Sequence, residues 1–382
     1  FYYSFDLAKE AVDIERVLVE YLDSASDEKG RHLFLDEATA VSDWQKAVKL
    51  LVDRGDMRKD DCVLVTGSSA VDLRKGSERL PGRGIEGKEY FYLPCCFNKY
   101  LQLKGVDVET HDPMDAEAFC RTADRQRAKL LTLNKHFASY LKEGGFLYSM
   151  NHGGNDAAME RYARWLEGDF VKSGKSPIIA KEIVQAVIRK GCSQFSYHSI
   201  AKETSAVSHN TIIDYLGTFS DELFLRTAGK ASIPFKPERR KEKKAYFLDP
   251  LLAGIAERWA GMRMEQACLV EQVVMSHISR IAAPYFYNDG RKEIDCIARI
   301  GSKTIGIEVK WSNNLSSTDA YAVRKADVPY LLSKETIEIG KNGIEPRTKE
   351  EVNAKVPVLP VSLFLSMLDA REILRRNVLA ME

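Results

Sequence analysis

Residues 293–310, EIDCIARIGSKTIGIEVK, decide how the second half of this chain is read. Two apolar, strand-like runs flank Gly301, which marks a turn, so the stretch predicts a β-hairpin. Asp295 ends the reach of the first strand, and Glu308-Val309-Lys310 close the second. Side chains alternate along a strand, so Glu308 and Lys310 share one face and Val309 takes the other. A hairpin that sets Asp295 beside Glu308 makes a carboxylate pair for Mg²⁺, a hard ion that takes oxygen ligands and keeps several waters. Lys310 beside that pair is placed to orient a water or to offset the charge of a phosphodiester transition state. Upstream, EQACLVEQVVMSHISRI (265–281) has helical apolar spacing and presents Glu271 as a third acidic group. The plain alternative is a hairpin with a surface salt bridge.

Asp, then Glu-x-Lys, with a Glu on a preceding helix, resembles the PD-(D/E)xK nuclease core. The resemblance implies Asp295 and Glu308 as metal ligands, with Glu271 and Lys310 in catalytic roles.

The bulk numbers are those of an ordinary globular chain long enough for two or three domains. It has 382 residues, 45% hydrophobic and 29% charged. Lys and Arg number 56 against 55 Asp and Glu, so any basic surface is local. The cysteines at 62, 95, 96, 120, 192, 268 and 296 form no CxxC pair. That excludes a zinc or disulfide framework by spacing and suggests reduced thiols in cytoplasm. No apolar run has the length of a membrane span, and no signal peptide is evident. The chain opens on Phe1, inside what reads as a buried strand, so a preceding segment is expected.

The first part alternates FYYSFDL (1–7), DIERVLVEYLDSA (13–25), RHLFLDEA (31–38), DWQKAVKLLVDR (43–54) and CVLVTGSS (62–69). Short apolar strands between amphipathic helices predict a parallel α/β sheet. LFLD places Asp36 and Glu37 at a strand end. In P-loop ATPases an Asp there holds the Mg²⁺ shell and a Glu polarises the attacking water. VLVTGSSA offers Thr66 and Ser68 near the γ-phosphate, and LPGRG offers Arg83 to a nucleotide in cis or on a neighbouring copy. Residues 114–171 read as mostly helical. GDFVKSGKS (168–176) imitates a phosphate loop with one residue too many and reads as a linker.

AKEIVQAVIRKG, YHSIAKETSA and SHNTIIDYLGTFSDELFL (180–225) predict a helix-turn-helix with Ser208 as N-cap. FLRTAGKASIPFKPERRKEKKAYFLD (224–249) then predicts a hairpin wing. Such a winged helix would set His209, Asn210 and Thr211 against bases and Arg239, Arg240, Lys241, Lys243 and Lys244 against phosphates. The poorly basic helix equally suits a protein-contact module. His111, His136, His152, His198 and His277 show no ligand spacing. The run VPVLPVSLFL (356–365) predicts a closing strand.

In order, LDEA, the Trp of DWQKAVKLL, VTGSSA, LPGR, YFYLPCCFNKYL, YLKEGGF and YFLDPLL resemble a family of archaeal and bacterial AAA-type ATPases. That family carries an uncharacterised C-terminal domain with a nuclease-like core. The resemblance implies Asp36 and Glu37 as the Walker B pair, Thr66 or Ser68 as a sensor and Arg83 as an arginine contact, with ATP and Mg²⁺ as cofactors. The family's G-x-x-x-x-G-K-[ST] loop is not in this sequence, so weak ATP binding is expected of the chain as given. The expected architecture is α/β throughout. A P-loop ATPase-like parallel sheet with helical lid spans 1–172, a winged helix 173–250 and a restriction-endonuclease-like domain 251–382. The expected role is ATP-regulated DNA binding or cleavage, DNA and further copies of the chain being the partners. The alternatives are a non-enzymatic scaffold with relic acidic sites, or an ATPase whose nuclease-like domain only binds DNA ends.

Overall fold

The computed structural model describes residues 1–67 (7 and 9 excepted), 73, 92–154, 156–205, 208–316, 318–339 and 356–369, without the side chains of 239–241. Two compact units divide the chain, one of residues 1–93 with 221–223, the other of the remainder.

The first unit is a parallel sheet with helices on one face. Strands β1 (Tyr2–Ser4), β2 (His32–Asp36) and β3 (Cys62–Val65) lie in the order β1-β2-β3, all parallel. Helix α1 (Ala11–Ser24) starts where the Asp13 carboxylate accepts from the Glu10 N–H. Helix α2 (Trp44–Arg54) stops at Gly55, whose φ of 81° suits glycine. Leu33 and Leu35 point to the helices and are fully buried among Ile14, Leu18, Trp44 and Leu51. Each such leucine contributes about 1.5–3 kcal/mol. On the other face Tyr2, Phe34 and Leu64 form a row across the three strands and are exposed. At the amino edge Arg31 donates twice to Asp61, at 3.0 and 2.6 Å, just before β2 and β3 begin. The Arg31 guanidinium holds the Asp61 carboxyl down at about 2.

The second unit begins with helices α3 (Phe97–Leu103), α4 (Ala116–Arg125), α5 (Leu130–Glu143), α6 (Leu147–Asn151) and α7 (Asp156–Lys172). Next come α8 (Pro177–Lys190), α9 (Tyr197–Ala201), α10 (His209–Asp221) and the hairpin β4 (Leu225–Ser232) and β5 (Lys236–Phe247). Then follow α11 (Pro250–Ala260), α12 (Gln266–Ile278), β6 (Pro284–Asn288), β7 (Glu293–Ile300), β8 (Lys303–Val309), β9 (Val328–Ser333), β10 (Val358–Pro360) and α13 (Val361–Ser366). One mixed sheet runs β10-β9-β8-β7-β6-β4-β5. β6, β7 and β8 form an antiparallel meander, and β9 and β10 continue parallel to β8.

A polar knot ties the helices together. Asp249 caps α11 by accepting from the Leu251 N–H at 2.9 Å, and its other oxygen accepts from the Gly145 N–H at 2.8 Å. Gly144 and Gly145 must be glycine here: an added Cβ would lie 2.0 Å from Asp249 Oδ1 and from the Cys95 carbonyl, respectively. Burial raises the Asp249 carboxyl to about 6. His277 Nδ1 contacts the Val273 carbonyl at 2.7 Å while Nε2 accepts from the Phe97 N–H at 2.9 Å, which fixes a neutral ring.

Three expectations change. VPVLPVSLFL is a strand only to Pro360 and then a helix, because proline cannot extend the ladder and a uniformly apolar run fits a buried helix equally. GDFVK is the last turn of α7 rather than linker, held by buried Phe170. The boundary expected at 172 differs from the division at 93/94, because helices α3–α7 pack with the second unit, and hairpin β4–β5 joins the sheet of the segment expected as a third domain.

Burial depresses the His277 pKa to about 3, so the unfolded chain binds a proton that the folded one refuses. The neutral ring's contribution is complete above the ordinary value near 6.5 and fades as pH falls toward 3. We expect urea unfolding at pH 5 to show a loss relative to pH 7.5, with a slope near 1.4 kcal/mol per pH unit from this group. His277→Gln keeps one donor and one acceptor and should flatten that part of the profile. Equal pH dependence in both proteins would show that His277 is not the titrating group.

Candidate functional site

In the first unit the sequence-expected residues meet at the carboxyl edge of the sheet, where ligands of open α/β sheets bind. Asp36 ends the central strand. Its Oδ1 accepts from the Thr66 hydroxyl at 2.5 Å and its Oδ2 from the Tyr2 hydroxyl at 2.7 Å. Those two hydrogen bonds, Thr66 first, hold the Asp36 carboxyl below its usual range, so it stays ionised. The Phe5 N–H donates to the Asp36 carbonyl at 2.8 Å, bringing the end of β1 to the same edge. Glu37 turns the chain with a φ of 52°, a left-handed conformation that non-glycine residues seldom hold without reason. Its N–H donates to Thr66 Oγ1 at 3.4 Å. An ionised carboxylate beside a hydroxyl fits the water shell of Mg²⁺. Ser68 and Arg83 lie outside the described residues. The sequence reading missed Tyr2, although strand alternation already put it on the face of Ser4.

In the second unit Glu271, Asp295, Glu308 and Lys310 do come together, but around an unexpected centre. The register of β7 on β8 pairs Cys296 with Ile307, so Asp295 faces Glu308 one step further along. Asp295 Oδ2 accepts from the Val309 N–H at 2.9 Å. Lys310 Nζ pairs with Glu308 Oε1 at 2.9 Å. Between the carboxylates sits the ammonium of Lys244, from β5. It lies 2.8 Å from Glu271, 2.6 Å from Glu293 and 3.5 Å from Asp295. Phe286 faces the same ammonium at 5.7 Å. Burial disfavours that charge, and the carboxylates Glu271, Asp295 and Glu293 more than restore it, so Lys244 stays protonated.

The carboxylates respond to the same burial. Desolvation and Asp295 raise the Glu271 carboxyl to about 7, with Lys244 pulling the other way. Desolvation and Asp295 raise Glu308 to about 8 against the pull of Lys310. Glu308 Oε2 is buried without a hydrogen-bond partner.

These residues do not fit a resident Mg²⁺. Asp295 spends one oxygen on a backbone N–H, and the shared space holds an ammonium. No group of three or more His, Cys, Asp or Glu side chains suited to a metal occurs among the described residues. The metal role expected of Asp295 and Glu308 and the catalytic roles expected of Glu271 and Lys310 stay expectations, and what the geometry gives is an ionic cluster around Lys244. The expected phosphate contact of Lys244 is corrected, because its side chain is only 3% exposed. The charge run hid it: the buried AYF that follows shows that β5 has left the solvent by residue 244. Glu293 was missed because a strand-opening glutamate looks like any solvated one.

His209 and Asn210 are exposed at the start of α10, and Ser208 Oγ accepts from the Thr211 N–H at 3.3 Å, which caps that helix. Lys243 is half-buried, its backbone paired with Phe195, and burial lowers its ammonium pKa.

Removing one member of a buried ionic cluster leaves the others unpaired at about 3–5 kcal/mol. Lys244→Met should therefore destabilise the second unit by that order in denaturant unfolding. Lys310→Met should cost at most about 1 kcal/mol, since its side chain is 40% exposed. Equal effects would contradict a central role for Lys244.

A family model for an AAA domain matches residues 1–101. A second, for a domain of unknown function (DUF4143), matches residues 260–361. Over 230 residues the chain is 24% identical to the uncharacterized protein MJ1544 of Methanocaldococcus jannaschii, covering 57% of this chain and 47% of that protein. The chain thus spans about half the length of the curated relative it matches. The crystal structure of protein VC1899 from Vibrio cholerae aligns at 11% identity over 92% of each chain with a TM-score of 0.19, which carries no argument. No helix among the described residues is long and apolar enough to cross a membrane. The chain carries an AAA-family ATPase domain followed by a domain of unknown function.

Proposed function

We propose that the chain is a nucleotide-binding ATPase whose nucleotide state governs DNA binding by its second unit. The observation that carries this reading is Asp36, held ionised by Thr66 and Tyr2 at the carboxyl end of the central parallel strand. In this reading Asp36 holds the water shell of the Mg²⁺ that accompanies ATP, and that ion would offset charge on the phosphates. Thr66 fixes the Asp36 carboxylate and senses the γ-phosphate, with Ser68 beside it in sequence. Glu37 accepts a proton from the attacking water. Arg83 contacts the nucleotide in cis or from a neighbouring copy.

For DNA, the order α8, the Phe195 bridge, α9, α10 and the β4–β5 hairpin follows the course of a winged helix. The capped start of α10 offers His209, Asn210 and Thr211 to a groove. Arg239, Arg240 and Lys241 would meet phosphates, and Lys243 would flank them. DNA cleavage is no part of the proposal, because the buried ammonium of Lys244 stands among the carboxylates that cleavage would need. The same ammonium favours, as a second reading, a scaffold whose acidic cluster is purely structural and whose helix α10 binds protein.

Glu37→Gln in the intact protein should keep nucleotide affinity and lower turnover by ~10²–10⁴-fold, the usual loss of a general base. Undiminished turnover would remove Glu37 as the base, and absence of turnover in the parent would remove the ATPase reading. Fluorescence anisotropy with a labelled duplex should show affinity falling with salt. Arg240→Ala should lower the log–log salt slope by about 1, whereas Asn210→Ala should weaken binding and leave the slope unchanged. Absence of binding at low salt, with and without ATP, would leave the scaffold reading.

A further inference from the structure

We propose that Lys244 is a tethered cation: its ammonium holds the place of a divalent ion among Glu271, Glu293 and Asp295, and its removal opens a divalent-cation site. The inference concerns the second unit alone and stands apart from the nucleotide and DNA readings.

Three observations converge on it. The ammonium touches carboxylates from two different elements, α12 and β7, at 2.8, 2.6 and 3.5 Å. That is how an ion joins elements, but here the charge is carried on the chain itself. Next, Glu308 faces the cluster across the β7–β8 register, and its Oε2 is buried with no hydrogen-bond partner. An orphaned, buried carboxylate oxygen is a vacant ligand, and an ammonium with three N–H groups already directed elsewhere leaves it unfilled. Lastly, the chain is anchored to α12 just beyond Lys244. The Phe247 N–H donates to Gln272 Oε1 at 3.2 Å, and Ser276 donates to the Leu248 carbonyl at 2.6 Å. The backbone that carries the lysine is therefore held against α12 by buried hydrogen bonds.

A dication entering this space would meet a fixed positive charge and would have to pull the same oxygens inward, to about 2.0–2.1 Å for Mg²⁺. Truncating the lysine reverses both obstacles. It leaves carboxylates without a counter-charge and a space lined by oxygen ligands that a hard dication prefers.

The test is a Mn²⁺ titration of the nucleotide-free, full chain by calorimetry, with thermal unfolding read in parallel. The parent should show no binding at the cluster and no Mn²⁺-dependent rise in Tm. Lys244→Ala should bind one Mn²⁺ per chain and recover part of its lost Tm when the ion is added. Asp295→Asn or Glu308→Gln in the Lys244→Ala background should abolish both effects, which assigns the ion to this cluster rather than to Asp36. If Lys244→Ala fails to fold, circular dichroism during refolding with Mn²⁺ gives the same answer, and Lys244→Met, which keeps the aliphatic stem, is titrated beside it. Mn²⁺ binding by the parent that Asp295→Asn removes would overturn the proposal, since the lysine would then yield to a metal. Folded Lys244→Ala that binds no Mn²⁺, or failure of both variants to regain structure with the ion, would overturn it equally.

Discussion

The second unit depends on one buried positive charge. Lys244 reaches from β5, at the far edge of the mixed sheet, to α12 and β7 in its middle. An isolated ammonium in that position would deprotonate or drag water inward. The carboxylates prevent this, and the ammonium in turn makes them tolerable. Neither set can be buried alone, so the hairpin, the helix and the meander must assemble together. The hairpin's pairing with the rest of the sheet is the short parallel contact of Gly229 and Lys230 with Tyr285 and Phe286.

The first unit solves a similar problem in the opposite way. Its buried ionic pair, Arg31 with Asp61, sits at the amino edge of the sheet and is fully satisfied: the guanidinium also reaches the Leu22 and Asp56 carbonyls. The carboxyl edge is polar. There two hydroxyls, of Thr66 and Tyr2, orient the Asp36 carboxylate without neutralising it. Structural charge is thereby kept at one end of the strands and charge available to a ligand at the other.

Much of the fold was legible because its signals are local. The alternation of LFLD, the glycine after α2 and the apolar spacing of α12 each specify their own element. The candidate sites were legible only in part. Asp36 and Thr66 follow from a strand pattern, and Asp295, Glu308 and Lys310 from a hairpin register, both short-range. Lys244 and Glu271 are 27 residues apart and meet only through tertiary packing. Composition even misled there, since ERRKEKK reads as a solvated run until the strand that ends it turns inward. VPVLPVSLFL failed for the converse reason: an all-apolar segment carries no period, and only Pro360 hinted at the change from ladder to helix.

A lysine and a dication are not equivalent occupants of an acidic cluster. A metal binds reversibly, brings waters with it and polarises what it touches, which is why such clusters do hydrolytic chemistry. A lysine brings three donors and no labile ligand, and its covalent tether makes occupancy independent of solution conditions. It also ties a catalytic-looking constellation to a strand from outside the meander. In this chain that strand belongs to the hairpin that carries Arg239, Arg240 and Lys241. Holding Lys244 fixed therefore holds the base of that hairpin fixed. Glu271, Glu293 and Asp295 thus grip the hairpin through a single side chain.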